Sequence, residues 1–131
     1  MLDLSAEVGL SPTPVARRLR RLEEDGIITG YTALIDEMAL GYAVSVFVSV
    51  KLDKQIDDVL EAFERAVAEF PEVVDCWLMT GSRDYLLRIA TEGLREYEQF
   101  LTKQLTRVPG VASIESSIPL RRVKAGLARV E

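Results

Sequence analysis

From Ala43 onward the chain runs through a succession of apolar periods that few folds can satisfy. Val44, Val46, Val48, Val50 and Leu52 alternate with Ala43, Ser45, Phe47, Ser49 and Lys51, and a period of two gives a strand with one strongly apolar face. Ile56, Val59, Leu60, Phe63, Val67 and Phe70 then recur at helical spacing, and Pro71 stops that helix. Two more strands are expected over residues 73–80 and 83–91, joined at Gly81-Ser82. Leu94, Tyr97, Leu101, Leu105 and Val108 mark a second helix ended at Pro109-Gly110, and residues 111–120 give a fourth strand. The order β-α-β-β-α-β predicts an α+β chain with a ferredoxin-like domain, both helices lying on one face of an antiparallel sheet. The other sheet face would carry Ser45, Phe47, Ser49 and Trp77. That mixture is too apolar to leave wet and too polar for an ordinary core, so a homodimer of two packed sheets is expected.

Ahead of this domain stands a different kind of segment. Ser11 is a good N-cap, because its hydroxyl can accept a backbone N–H left unpaired by the first helical turn. Pro12 and Pro14 fall in that turn, where a missing N–H removes no intrahelical bond. At about 100° per residue, Val15, Leu19 and Leu22 share one face of the helix, while Thr13, Arg17, Arg20 and Arg21 share the opposite one. Gly26 ends it. A basic helix with small polar residues at its N-terminal turn suits a DNA major groove, since Ser and Thr reach base edges and Arg grips phosphate or guanine. For a four-arginine helix taken alone, a solvated charged face is the competing reading. The neighbours shift the balance: residues 2–10 read as a short amphipathic helix ended by Gly9, and a tight turn makes the pair a helix-turn-helix. Residues 26–36, rich in β-branched and aromatic types and broken by Gly30, suit a small β-hairpin, or wing.

Leu4-Ser5, Val8-Gly9-Leu10-Ser11-Pro12-Thr13-Pro14, Arg20-Arg21-Leu22-Glu23 and Gly26-Ile27-Ile28 with Gly30-Tyr31-Thr32-Ala33 resemble the Lrp/AsnC ("feast/famine") family of transcription factors. The resemblance continues through Gly81-Ser82-Arg83-Asp84-Tyr85-Leu86-Leu87 and Val108-Pro109-Gly110-Val111, so it covers essentially the whole chain. It implies a partial winged helix-turn-helix in residues 1–35, a linker over 36–42, and a ferredoxin-like (RAM-type) domain for effector binding and oligomerisation in 43–131. The family usually begins with a further helix packed on the other two, and residues for it are missing before Leu2; truncation is the reading favoured on sequence. The resemblance also implies a sequence-specific DNA-binding regulator that answers to an amino acid, as a homodimer able to assemble to tetramers or octamers. Ser11, Thr13, Pro14 and Arg17 would lie nearest the bases, and Arg18, Arg20 and Arg21 would mainly hold phosphate. Gly81, Ser82, Arg83, Asp84 and Tyr85 would help bind the effector between subunits. On residue chemistry alone, Gly81 permits close backbone approach, Arg83 could pair with a carboxylate and Asp84 with an ammonium group, although an ordinary solvated turn explains the same residues. The family's two threonines in the last strand correspond here to Ile114 and Ser116, so one hydroxyl is lost and the effector's identity is in doubt.

Composition excludes other classes. The chain has no histidine and one cysteine among 131 residues, which removes the commonest general base and metal ligand and any internal disulfide. Cys76, among Val74, Trp77 and Leu78, reads as a buried structural thiol. No glycine-rich phosphate loop, catalytic constellation, metal site or cofactor motif is visible, and no apolar run approaches the roughly 18 residues of a membrane span; a cytoplasmic location is expected. The net charge of −5 does not advertise a nucleic-acid binder, yet all four arginines of residues 1–30 fall within 17–21, and phosphate contacts are local. Two other readings compete: a small-molecule-binding and oligomerisation module that no longer binds DNA, and an enzyme. Some sirohaem decarboxylases resemble the family, but their chemistry relies on histidines this chain lacks.

Overall fold

The computed structural model describes residues 12–130 and divides between Ile35 and Asp36 into two compact units. The expected helix over residues 2–10 and the Ser11 cap lie outside the described residues.

The first unit contains helix α1 (Pro12–Glu24). Val15, Ala16, Leu19 and Leu22 are partly covered, while Thr13, Pro14 and the four arginines are exposed, as the helical spacing requires. Gly26, at φ 75°, closes the helix. Its N–H donates to the Glu23 carbonyl (3.0 Å) and the Ile27 N–H to the Leu22 carbonyl (2.8 Å), the paired bonds of a Schellman end, which needs a left-handed residue where Gly sits. Residues 27–35 form no strand, so the hairpin expected there is absent. A lone two-stranded hairpin is marginal in water, and Ile27, Tyr31, Leu34 and Ile35 are all exposed. The Tyr31 hydroxyl instead donates to Glu23 Oε1 of α1 at 2.7 Å.

The second unit comprises β1 (Val44–Leu52), α2 (Asp57–Ala68), β2 (Val73–Leu78), β3 (Tyr85–Thr91), α3 (Leu94–Lys103), a 3₁₀ turn (Leu105–Arg107) and β4 (Val111–Ser117). The sheet has the order β2-β3-β1-β4, antiparallel throughout. Val46, Val48, Val50 and Leu52 face inward with Tyr85, Leu87 and Ile89 of β3, against Phe63 and Val67 of α2 and Tyr97 and Phe100 of α3. Fully burying each of these valines contributes roughly 1.5–3 kcal/mol. α3 stops earlier than expected: the chain tightens into the 3₁₀ turn, and the Thr106 hydroxyl donates to the carbonyls of Leu101 and Thr102. β4 also stops short of residue 120, at Ser117. Pro119 lacks the N–H a ladder would need.

Candidate functional site

Three surfaces bear on function. The first is the exposed side of α1, where Thr13, Arg17 and Arg20 line one shallow depression with Ala16. The arginine face opposes the apolar stripe, so the helix can rest on a hydrophobic support and offer cations outward. Thr13, Pro14, Arg17, Arg18, Arg20 and Arg21 are all exposed on this one element.

The second is the turn between β2 and β3. Gly81 takes φ 102° there, a conformation that other residues rarely adopt. The Ser82 carbonyl accepts a bond from Lys51 Nζ at 3.2 Å. Arg83 reaches across the sheet: Nη1 donates to Ser113 Oγ at 2.7 Å and Nη2 pairs with Glu115 Oε2 at 3.0 Å. Asp84 is not offered to a ligand's ammonium, as its residue type suggested. It is buried, Oδ2 accepts the Leu52 backbone N–H at 2.7 Å and Oδ1 accepts the Gln55 amide at 2.6 Å. Tyr85 likewise points into the core, stacked on Phe63 with ring centroids 4.6 Å apart and donating to Glu64. Burial first, then the hydrogen bond to Glu64 and that residue's charge, hold its hydroxyl protonated well above the usual range. Ser116 shares a hydrogen bond with Tyr97 on the helix side of β4. Among the described residues no hydrogen bond joins it to the turn; Arg83 meets Ser113 and Glu115 instead.

The third surface is the open face of the sheet. Asp75, Arg88, Phe47 and Ser117 form one cross-strand row, and Trp77, Leu86, Ser49 and Glu115 the next. Trp77 is 45% exposed. Arg88 is held by a bidentate pair to Glu37 (Nη1–Oε1 2.8 Å, Nη2–Oε2 3.1 Å) and by Asp75 at 3.5 Å. This ties the hydrogen-bonded turn at residues 36–42 to the sheet, a contact between positions 51 apart that no local pattern announces. Cys76 corrects an expectation: β2 is an edge strand, and the cysteine is exposed rather than a buried core thiol. Its side chain faces the helix layer, opposite Leu87, and the partial desolvation the thiol meets there, together with the Glu64 charge, pushes its pKa up to about 11. A cleft of about 370 Å³, also absent from the sequence reading, opens near the start of β2 and the end of β3, with Tyr42, Pro71, Val74 and Ala90 among its walls. Among the described residues no group of three or more acidic or thiol side chains is placed to hold a metal, and no helix is long and apolar enough to cross a membrane.

The family model of the Lrp/AsnC ligand-binding domain matches residues 45–128, and a winged helix-turn-helix DNA-binding model matches residues 1–29. The Bkd operon transcriptional regulator of Pseudomonas aeruginosa is 50% identical over 121 residues, covering 92% of this chain and 79% of that protein. The leucine-responsive regulatory protein of Escherichia coli is 40% identical over 123 residues, covering 94% and 75%. Among solved structures, a transcriptional regulator of Neisseria meningitidis in complex with L-methionine superposes with a TM-score of 0.81 at 34% identity, covering 93% of this chain and 79% of that one.

Proposed function

The chain belongs to the Lrp/AsnC family of transcriptional regulators, and we propose that it is a sequence-specific DNA-binding regulator answering to an amino acid or a closely related small molecule. The observation that carries the first half is α1: four exposed arginines on one helix, with Arg17, Arg20, Arg21 and Thr13 on the face opposite the apolar stripe and Arg18 flanking that stripe. Residues 1–35 serve as the DNA-reading unit, residues 36–42 as its link, and residues 43–131 as the effector-binding and assembly unit. Ser11, Thr13, Pro14 and Arg17 read base edges while Arg18, Arg20 and Arg21 hold phosphate. Arg20→Ala and Arg21→Ala should each reduce the salt slope of DNA binding by roughly one unit. Titration against genomic fragments across a range of salt measures this, and an unchanged slope removes those residues from the interface. Failure of the full-length chain to bind any fragment would favour a ligand-binding module instead.

The N. meningitidis relative carries L-methionine, which makes amino acids the first effectors to test here, by calorimetry or thermal shift. In this reading Gly81, Ser82 and Arg83 meet the carboxylate end of the ligand. Asp84 and Tyr85 hold the turn from below, and Ser116 contributes from β4 of a neighbouring subunit. Ile114 beside it favours a less polar side chain on the ligand. Two copies meet through the open sheet face, and the pair presents two α1 helices to successive major grooves; larger assemblies would stack such pairs. The relatives are named as regulators, and we place this chain with them, as a regulator and not an enzyme, in the cytoplasm and without a cofactor.

A further inference from the structure

Two features of the second unit remain unused by this reading, and neither depends on it. The first is the charge around the cleft at the Val44 end of the sheet, where Glu37, Glu72, Glu92 and Glu96 join its apolar walls. Glu37 is engaged by Arg88, but Glu72 Oε1 is shut off from water with no hydrogen-bond partner among the described residues. A buried carboxylate oxygen without a donor is unfavourable until one arrives. The second is the segment that follows β4. Leu120, Val123, Leu127 and Val130 recur at helical spacing and are between 81% and 99% exposed. Arg121, Arg122 and Lys124 are interleaved with them, and residues 118–130 contain no acid.

We propose that residues 118–130 of one copy dock in this cleft on a second copy. Leu120 and Val123 then cover Tyr42 and Val74, and Arg121, Arg122 and Lys124 meet Glu72, Glu92 and Glu96. Charge complementarity selects the occupant, since a basic, apolar segment meets an acidic, apolar groove within one sequence. The exposure of the segment in the single chain selects a second copy, and the sheet order sets the geometry of the exchange. The segment leaves from edge strand β4 and the cleft is built beside edge strand β2, with β3 and β1 between them. In a single chain the segment's apolar residues stay in water. Donor and acceptor at opposite edges of one sheet give a contact that closes by reciprocal exchange between two copies or by a ring.

The test is disulfide trapping on the full-length chain in a Cys76→Ser background. Chains carrying Val74→Cys are mixed with chains carrying Val123→Cys under mild oxidation. Docking predicts cross-links between the two kinds of chain, forming about tenfold faster than with Lys103→Cys as the second site, because docked thiols share a high effective concentration. Combined replacement of Arg121, Arg122 and Lys124 by Glu should abolish that excess, and adding Glu72→Lys with Glu92→Lys in the partner should restore it. Absence of an excess overturns the proposal. So does ring closure confined to single chains carrying both cysteines, which would seat the segment in its own cleft. If the triple Glu variant cross-links normally but loses DNA affinity, the segment grips phosphate and the proposal fails.

Discussion

Asp84 shows how a residue singled out by chemistry can work through geometry. A carboxylate beside a glycine turn invites an ammonium ligand, yet its two oxygens are committed to the Leu52 N–H and the Gln55 amide. Asp84→Ala would orphan a buried backbone donor, and hydrogen bonds to charged groups contribute roughly 1.5–3 kcal/mol. We expect a loss of about 2 kcal/mol in a urea unfolding titration; unchanged stability with weakened amino-acid binding would return Asp84 to the ligand. Cys76 makes the complementary case, exposed by position but guarded in chemistry. With its pKa near 11, the thiolate that reacts with alkylating reagents is scarce at neutral pH. Labelling should therefore rise about tenfold per pH unit from pH 7 toward 11, and at pH 8 run about a hundredfold below a free cysteine. Glu64→Gln should speed it. A rate that levels off near pH 9 would show an ordinary thiol.

Among the elements, legibility followed the range of the forces involved. The alternation of Val44 to Leu52 and the helical spacing around Phe63 and Tyr97 were readable because burial acts on period, although Ile56 and Leu94, counted in those stripes, are exposed and Phe100, not counted, is buried. The basic and apolar faces of α1 were readable for the same reason. The wing was not, because Tyr31 and Ile35 have strand propensity but no partner strand among the described residues. Nor was the core position of Tyr85, which the motif reading placed at a ligand, although its alternation with Leu86 in β3 could have flagged it. The Arg88–Glu37 pair and the cleft depend on contacts between distant positions and left no local signal. Gly26 belongs to this scale, since it stops α1 by conformation alone: its φ is positive, and a Cβ placed on it would meet nothing within 4 Å among the described residues. Gly26→Ala should therefore cost only the left-handed penalty of about 1–2 kcal/mol, with Gly26→Asn milder. Thermal unfolding followed by far-ultraviolet circular dichroism checks this, and a much larger loss would mean that the site is crowded.

At the scale of the whole molecule, the acidic balance of the chain and the basic face of α1 would, in the proposed reading, divide two tasks, repelling stray contacts overall while attracting phosphate at one place. The open sheet face works differently. Phe47, Leu86 and Trp77 are apolar neighbours across three strands, set among Arg88, Asp75 and Glu115. Trp77→Lys should shift the chain toward monomer in sedimentation velocity while leaving the helix-packed core intact, and a Trp77→Lys chain that stays dimeric would move the interface elsewhere. Pairing through this face would also make folding obey mass action. A surface satisfied only by another copy stabilises the native state more as copies accumulate, so the melting temperature of the wild-type chain should climb with its own concentration and that of the lysine variant should not. A regulator built this way registers its own abundance before it registers any nutrient.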